Sequence, residues 1–203
     1  LKKTFVFYVA LIFITGTVLP VVRSDLNDPW WDSNWMYRKE INIDHTKVDA
    51  NLSNFPVLIN FSSDADLSAY VQSDGDDIVF TDVEGNQLNH EIELYQDTTG
   101  RLVAWVNVTN LSSVADTRLY LYYGNGFCSS QQHPQGTWDA DYLFVHHMNE
   151  TGDIIDSTSN GLNAVNYGTS TELNGKIDGC RYFDYVYDRY DFGTTSSLNP
   201  GFS

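Results

Sequence analysis

Carboxylates are the side chains of this sequence best suited to bind a metal. Asp74, Asp76 and Asp77 lie in one Asp-Gly-Asp-Asp segment, and Asp82 follows shortly after. Oxygen-rich segments of this kind bind Ca²⁺, although the spacing is not that of an EF-hand. Asp and Gly are also ordinary turn residues. The segment therefore predicts either a calcium site, calcium being the only cofactor that the sequence indicates, or a structural turn.

Two other residue pairs could carry chemistry. Glu91 and Glu93 are two positions apart in an alternating segment. Carboxylates paired on one face of a sheet can hydrolyse glycosides, but the same alternation is typical of any half-exposed strand. His146 and His147 are adjacent, and neighbours on a strand point to opposite faces, which disfavours a shared metal ion. We predict no catalytic residues and no enzyme activity.

Trp30, Trp31 and Trp35 fall within six residues. Each indole can bury a large apolar area, so leaving all three in water would be costly. In one interpretation the rings close the open end of a β-sandwich, with Arg38 or Lys39 stacked on one of them. In the other they form a platform on which sugar rings stack. The second interpretation makes the three tryptophans ligand-binding residues.

Trp105 is a fourth candidate for sugar stacking. It shares a face with Asn107 on a predicted strand over residues 102–108. A glycan on Asn107 would require that face to meet solvent, which would leave Trp105 partly exposed. The acceptor pattern for N-glycosylation occurs at five positions: Asn51, Asn60, Asn107, Asn110 and Asn149.

The N-terminus has the pattern of an export signal. Lys2 and Lys3 precede an apolar stretch over residues 5–14, which is too short to span a bilayer unaided. We predict a signal peptide over residues 1–24, cleaved after Ser24, with an uncleaved membrane anchor as the alternative. An extracellular or cell-surface location follows, and an uncleaved signal would be the protein's one contact with a membrane.

The charge of the chain limits its partners. The formal net charge is −16 at pH 7, which opposes binding to nucleic acid and to anionic lipid. We expect extracellular glycans or surface proteins as partners and exclude nucleic acid.

The two cysteines, Cys128 and Cys180, belong to no CxxC motif or Cys/His cluster, which argues against a role in metal binding or redox chemistry. An exported chain can join them in a disulfide. A small buried residue in a strand is the alternative for Cys180.

The elements that position these residues are predicted to be strands. Apolar residues recur at every second position through residues 74–123, and β-branched and aromatic types dominate. Gly85-Asn86 predicts a hairpin turn. Earlier strands are predicted around residues 41–43 and 55–61, and a short helix or packed loop within residues 62–73. The fold class is therefore all-β, with an antiparallel β-sandwich over residues 25–126.

Six motifs in sequence order give this first part a family resemblance. They are Trp31-x-x-x-Trp35-x-Tyr37-Arg38-Lys39, Phe55-Pro56-Val57, Gly75-Asp76-Asp77-Ile78-Val79-Phe80-Thr81-Asp82, Glu91-Ile92-Glu93, Ala104-Trp105-Val106 and Tyr122-Tyr123-Gly124-Asn125. Residues 29–125 closely resemble the domain of unknown function family 2341, a module of exported archaeal and bacterial proteins. The resemblance implies a β-sandwich. The family has no established activity, so the resemblance implies no functional residues.

The remaining sequence has a different character. Residues 127–137 are rich in Gly, Ser, Gln and Pro and predict a linker. Residues 142–150 predict a strand, and residues 156–161 a turn. With Gly175-Lys176-Ile177 and the segment after it, residues 138–203 resemble the opening of a concanavalin A-like, laminin-G-type domain, a jelly-roll β-sandwich.

That second resemblance has two implications. Such domains often bind calcium, which makes Asp153, Asp156 and Asp184 further candidate ligands. About 65 residues are too few to close a two-sheet sandwich, so we expect the domain to be truncated at its C-terminal side.

Taken together, these features predict an exported, non-enzymatic module for glycan recognition or adhesion. Two alternatives stay open. One is a structural surface-layer or spacer protein, and the other is a fragment of a polysaccharide-active enzyme that lacks its catalytic part.

Overall fold

The computed structural model describes residues 30–172, 175–184 and 186–193. The chain divides into two compact units, the first ending at His133 and the second beginning at Pro134. This division falls inside the segment predicted as a linker, residues 127–137. The predicted signal peptide, residues 1–24, lies outside the described residues.

The first unit consists of strands with little helix. Its strands are β1 (Tyr37–Ile43), β2 (Leu52–Phe61), β3 (Val79–Thr81), β4 (Gln87–Leu88), β5 (His90–Gln96), β6 (Arg101–Leu111) and β7 (Thr117–Tyr123). A 3-10 helix (His45–Lys47) follows β1, and a short α-helix, α1 (Ala65–Tyr70), follows β2. Of the two alternatives predicted for residues 62–73, a short helix or a packed loop, the structure has the helix.

Two antiparallel sheets build this unit. One has the strand order β1-β7-β3-β4, and the other has the order β2-β6-β5. The buried apolar side chains of both sheets form one core, which includes Ile41, Ile43, Phe80, Leu119 and Leu121 from the first sheet and Val57, Ile59, Leu102, Ala104 and Val106 from the second. The two sheets therefore pack face to face, and the predicted all-β sandwich is confirmed.

The period of two in the sequence decides which side chains enter this core. On β6, Leu102, Ala104 and Val106 point inward and are buried, and Trp105 and Asn107, which follow Ala104 and Val106, point to the outer face. Fully burying an aliphatic side chain contributes about 1.5–3 kcal/mol, so a shift of register by one residue would be costly. The faces of the sheet are thereby fixed.

The β3–β4 hairpin turns at the predicted position. The backbone N–H of Asp82 donates to the carbonyl of Asn86 at 3.0 Å, and Gly85 adopts a φ of +85°. Glycine takes this left-handed conformation without a steric penalty, whereas a residue with a side chain is strained there. The Gly85-Asn86 turn is therefore confirmed.

The second unit has short elements. They are α2 (Pro134–Thr137), β8 (Val165–Tyr167), β9 (Ser170–Glu172), β10 (Cys180–Tyr182) and β11 (Arg189–Asp191). The strands form two antiparallel ribbons, β8 with β11 and β9 with β10.

The prediction of a strand over residues 142–150 is wrong. Its backbone bonds to a loop rather than to a neighbouring strand: the N–H of Val145 donates to the carboxylate of Asp156 at 3.0 Å, and the carbonyls of Tyr142 and Leu143 accept from the Asn160 amide. Met148 has a φ of +66°, which interrupts an extended conformation. The apolar pattern was strand-like, but side chains of the following turn satisfy these backbone groups instead.

Candidate functional site

The three neighbouring tryptophans lie on the outer face of the four-stranded sheet. The cluster that they form consists of Trp35, Val79, Tyr120 and Tyr122, with Trp30, Trp31 and Cys128 packed against it. Trp35 is buried, whereas Trp30 and Trp31 are only half-buried. The rings cover outward side chains of β3 and β7, so they do not close an open end of the sandwich.

Hydrogen bonds and ring contacts fix the orientation of these rings. The indole N–H of Trp30 donates to the Trp35 carbonyl at 2.8 Å, and the indole N–H of Trp35 donates to the Asp77 carbonyl at 2.6 Å. The backbone N–H of Trp31 donates to the Tyr122 hydroxyl at 3.2 Å. The centroids of Trp31 and Trp35 are 4.8 Å apart in an edge-to-face contact. The exposed parts of the two outer rings are thus held in place.

Arg38 is the cation that stacks on this cluster. Its guanidinium carbon lies 4.3 Å from the Tyr120 ring centroid and 5.2 Å from that of Trp30. A guanidinium N–H of Arg38 donates to the Tyr122 hydroxyl at 3.2 Å. Lys39 follows on the opposite face of β1 and forms ion pairs near α1 instead. Of the two cations that the sequence offered, only Arg38 reaches the tryptophans.

A polar groove of about 460 Å³ lies further along the same outer face. It is lined by Glu40, Asn42, Val83, Asp116 and Arg118. Glu40 and Asn42 point outward because Ile41 and Ile43 between them point into the core. The sequence analysis missed this groove, since only the pairing of β1 with β7 brings Asn42 opposite Arg118.

Asp77, predicted as a calcium ligand, lies at the meeting point of three chain segments and is buried. One carboxylate oxygen accepts the N–H of Gln72 at 2.9 Å. The other accepts the N–H groups of Gly124 at 2.7 Å and Asn125 at 3.0 Å. The carboxylate thus joins the segment after α1 and the end of β7 to the start of β3. This is a structural role, as in the turn alternative of the sequence analysis, but it connects three chain segments and not one turn.

The carboxylates of Asp74 and Asp82 also stabilise turns. Asp74 accepts the N–H of Asp76 at 3.2 Å, and Asp82 accepts the N–H groups of Glu84 and Asn86 at 3.0 and 2.8 Å. Such Asx turns are the usual role of Asp in loops. The calcium site over Asp74, Asp76 and Asp77 stays a prediction.

Comparison with known proteins identifies the family. The family described as "Domain of unknown function (DUF2341)" matches residues 74–188, more than half of the chain. The chain belongs to the DUF2341 family. No curated protein matches the chain, and no solved structure does.

The DUF2341 match differs in extent from the resemblance found in the sequence. It begins at residue 74, after the tryptophan-rich segment, and it continues through most of the segment that resembles a laminin-G-type domain. It includes both Asp77 and Gly124, which the carboxylate of Asp77 joins. The concanavalin A-like assignment stays a prediction.

On the other sheet of the DUF2341 chain, Trp105 lies beside both candidate glutamates. Its indole N–H donates to the Glu93 carboxylate at 2.7 Å, and Glu91 pairs with Trp105 across β5 and β6. A bulge between Ile92 and Leu94 makes Glu93 the extra residue of β5. Glu91 is buried and Trp105 is half-buried, so the Trp105 ring keeps part of its surface in contact with solvent.

One cluster that the sequence analysis did not identify consists of Asp44, His45 and Asp116. One ligand atom of each residue lies within 4.8 Å of the others. The His45 ring bonds to Asp116 at 2.6 Å, and Asp44 accepts the N–H and the hydroxyl of Thr46. These contacts within the chain already engage the group.

The glycosylation candidates differ in accessibility. Asn51, Asn60 and Asn110 are exposed, whereas Asn107 and Asn149 are half-buried. The amide nitrogen of Asn149, to which a glycan would be attached, donates to Asp178 at 3.3 Å. Exposure therefore favours the first three positions.

Both cysteines are free thiols, Cys128 in the first unit and Cys180 in the second. Burial raises the pKa of the Cys128 thiol. The disulfide between them stays a prediction.

In the second unit, the candidate calcium ligand Asp156 organises a loop. Its carboxylate accepts the N–H groups of Val145, Thr158 and Leu162 at 2.8–3.0 Å. Burial raises the pKa of Asp156, but these hydrogen bonds outweigh that effect and lower it. Asp153 accepts the N–H of Asn166 at 3.1 Å.

The remaining candidates of this unit have separate partners. The Asp184 carboxylate accepts the N–H of Val186 at 3.1 Å. His146 stacks with Phe144 and Phe192, whereas His147 lies near Trp138.

In the part of the chain that the structure describes, the helices are too short or too polar to cross a membrane.

Proposed function

We propose that this DUF2341 protein is an exported, non-enzymatic module that recognises glycans at the cell surface or outside the cell. The observation that carries the proposal is the pair of half-buried rings, Trp30 and Trp31, held on the outer face of the four-stranded sheet. An aromatic ring that keeps part of its surface in water can stack on the apolar face of a sugar.

The fixed orientation of the rings favours binding. Trp30 is held by its hydrogen bond to Trp35, and Trp31 by its contacts with Trp35 and Tyr122. Ordering a mobile aromatic side chain on binding costs about 0.5–1.5 kcal/mol, and a ring already held avoids much of that cost. A rigid sheet beneath the rings supplies the same advantage to the whole face.

The charge of the chain supports a neutral ligand. With a net charge of −16, the protein repels anionic polymers and lipids at long range. A neutral glycan experiences no such repulsion. The export signal proposed for residues 1–24 would deliver the protein to the compartment in which surface polysaccharides occur.

For the second unit we propose the opening part of a concanavalin A-like, laminin-G-type sandwich. Its two ribbons have two strands each, and isolated pairs of strands are marginally stable in water. Large apolar side chains on and near these ribbons are exposed, including Tyr167, Tyr182, Phe183 and Tyr187. Exposed apolar side chains beside paired strands fit the packing face of a sheet in a two-sheet sandwich.

A glycan array probed with the full chain tests the proposed function. The wild type is expected to bind neutral glycans, and Trp31→Ala to bind them about tenfold more weakly, the equivalent of about 1.4 kcal/mol. Met36→Ala is the matched control, because Met36 is a large, 62% exposed side chain in the same segment. The melting temperature of each variant checks that it is folded.

The other outcomes are informative. A folded wild type that binds no glycan would refute the proposal and favour the structural spacer. Unchanged binding by the Trp31→Ala protein would show that these rings are not the site. Release of sugars from a bound polysaccharide would favour the enzyme fragment.

A further inference from the structure

The groove lined by Glu40, Asn42, Val83, Asp116 and Arg118 lies on the same sheet face as the tryptophans. We propose that the two form one extended site, which binds several consecutive sugar units of a neutral polysaccharide and not a single terminal sugar. This inference rests on the proposed function and specifies its ligand.

The lining of the groove has the donors and acceptors that hydroxyl groups require. The carboxylates of Glu40 and Asp116 accept hydrogen bonds, and the guanidinium of Arg118 donates them. Each sugar hydroxyl can both donate and accept a hydrogen bond, so one sugar unit can bond to the carboxylates and to the guanidinium. Val83, an exposed aliphatic residue, adds an apolar wall against which the C–H face of a sugar can pack.

The groups of the groove are accessible. The side chains of Arg118 and Glu40 are 54% and 52% exposed, and the Arg118 Nε lies 3.4 Å from Glu40. An ion pair between two such exposed side chains contributes little to stability. A ligand hydroxyl can therefore replace it at small cost.

Asp116 takes part in three hydrogen bonds within the chain, and an ionised carboxylate has about four acceptor positions, so it can accept one more. Its carboxylate accepts from the Asn42 amide at 2.9 Å and from the His45 backbone N–H at 3.1 Å. Hydrogen bonds from the His45 ring and from Asn42 hold the pKa of the Asp116 carboxyl well below its usual range, so it is ionised at neutral pH. A fixed, ionised acceptor needs little reorganisation when a hydroxyl arrives.

The register of the sheet sets the length of the site. Across β1 and β7, Arg38 pairs with Tyr122 beneath the tryptophans, and Asn42 pairs with Arg118 in the groove. Successive same-face pairs are about 6.7 Å apart, so these two pairs are separated by about 13 Å. This span exceeds one sugar ring, which is why the geometry points to an oligosaccharide.

One residue pair of the same sheet face lies between these two ends. Glu40 pairs with Tyr120 there, and Tyr120 is covered by the Arg38 guanidinium. The aromatic end and the polar end therefore lie in one row along β1 and β7, with one residue pair of the same face between them.

The test measures affinity against chain length. The probes are the di-, tetra- and hexasaccharides of β-1,4-linked glucose, xylose, mannose and N-acetylglucosamine, titrated calorimetrically into the full-length protein. The variants are Arg118→Ala and Glu40→Gln in the groove and Trp31→Ala at the aromatic end. Lys47→Ala is the control, because Lys47 is an exposed cation outside the groove lining.

We expect the wild type to bind a hexasaccharide at least about tenfold more tightly than the matching disaccharide. Arg118→Ala is expected to remove about tenfold of the hexasaccharide affinity and to leave the disaccharide affinity unchanged, since a hydrogen bond to a charged group is lost only for the longer ligand. Trp31→Ala is expected to weaken both, and Lys47→Ala neither.

Each contrary result has a separate meaning. If Trp31→Ala weakens binding while both groove variants keep the full gain with chain length, the extended site is wrong and the proposed function stands. If the groove variants weaken binding and Trp31→Ala does not, the aromatic platform is wrong. If the wild type binds none of these oligosaccharides, both proposals are wrong.

Discussion

Replacing Asp77 by alanine perturbs the point at which three segments of the first unit meet. The substitution removes the acceptor of the Gln72, Gly124 and Asn125 N–H groups. It changes no residue of the neighbouring turns. Its effect measures how far one buried carboxylate holds the sandwich together.

The magnitude follows from the three hydrogen bonds. A hydrogen bond to a charged group contributes about 1.5–3 kcal/mol, so three give roughly 4–9 kcal/mol as an upper range. Gln72, Gly124 and Asn125 are half-buried, so water can reach part of what the variant exposes. We expect Asp77→Ala to lower the free energy of unfolding by about 4 kcal/mol. Asp77→Asn keeps one acceptor oxygen and should cost about 2 kcal/mol.

Urea denaturation followed by tryptophan fluorescence provides the measurement. Asp74→Ala is the matched control, because Asp74 is exposed and accepts one N–H group at 3.2 Å. We expect that control to change the stability by less than about 1 kcal/mol. A cost below about 1 kcal/mol for Asp77→Ala would refute the role assigned to the carboxylate.

The same proteins decide between the turn and the calcium site. If Asp77 acts through backbone N–H groups, its variants should be destabilised equally in millimolar calcium and in a chelator. A melting temperature that rises with calcium in the wild type and not in Asp77→Asn would instead establish the metal site.

Substitutions at three further positions test other parts of the first unit. Burial lowers the pKa of His90 from 6.5 to about 4, so the unfolded chain takes up a proton first as the pH falls. The wild type should therefore lose about 3 kcal/mol between pH 6.5 and pH 4 that His90→Leu does not lose, as read from urea denaturation at both pH values. The Lys39 ammonium lies 3.0 Å from the Asp64 carboxylate and 2.7 Å from that of Asp66, and Lys39→Ala removes it. Urea denaturation should show that the free energy of unfolding falls by about 2–3 kcal/mol in Lys39→Ala and by less in Lys39→Met. Gly100→Ala places a Cβ against the Asp64 carbonyl at a φ of +65°, and calorimetry should show a loss of about 3 kcal/mol or more; an unchanged melting temperature would contradict this backbone geometry.

The second unit shows where sequence periodicity was insufficient. Residues 142–150 contain apolar residues at strand-like spacing, yet Asp156 and Asn160 bond to their backbone. A strand exists only if a neighbouring strand accepts its hydrogen bonds, and no local pattern states which partner will be present. The prediction failed because side chains and a neighbouring strand compete for the same backbone groups, and only the tertiary structure shows which of them bonds.

The sequence by itself determined the sandwich of the first unit and the face that each strand buries. On β6, Leu102 and Ala104 had to point one way and Trp105 the other, because side chains alternate along any extended chain. The hairpin at Gly85 was equally determined, since it depends on the conformational freedom of one residue.

Only the tertiary structure decided how distant residues meet. It placed Trp31 over Tyr122 rather than at the end of the sandwich, joined Asp77 to Gly124, and set Asn42 opposite Arg118 in the groove. The physical reason is that alternation fixes the direction of a side chain within its own strand. Which strands become neighbours depends on how the whole chain buries its apolar area at the lowest free energy.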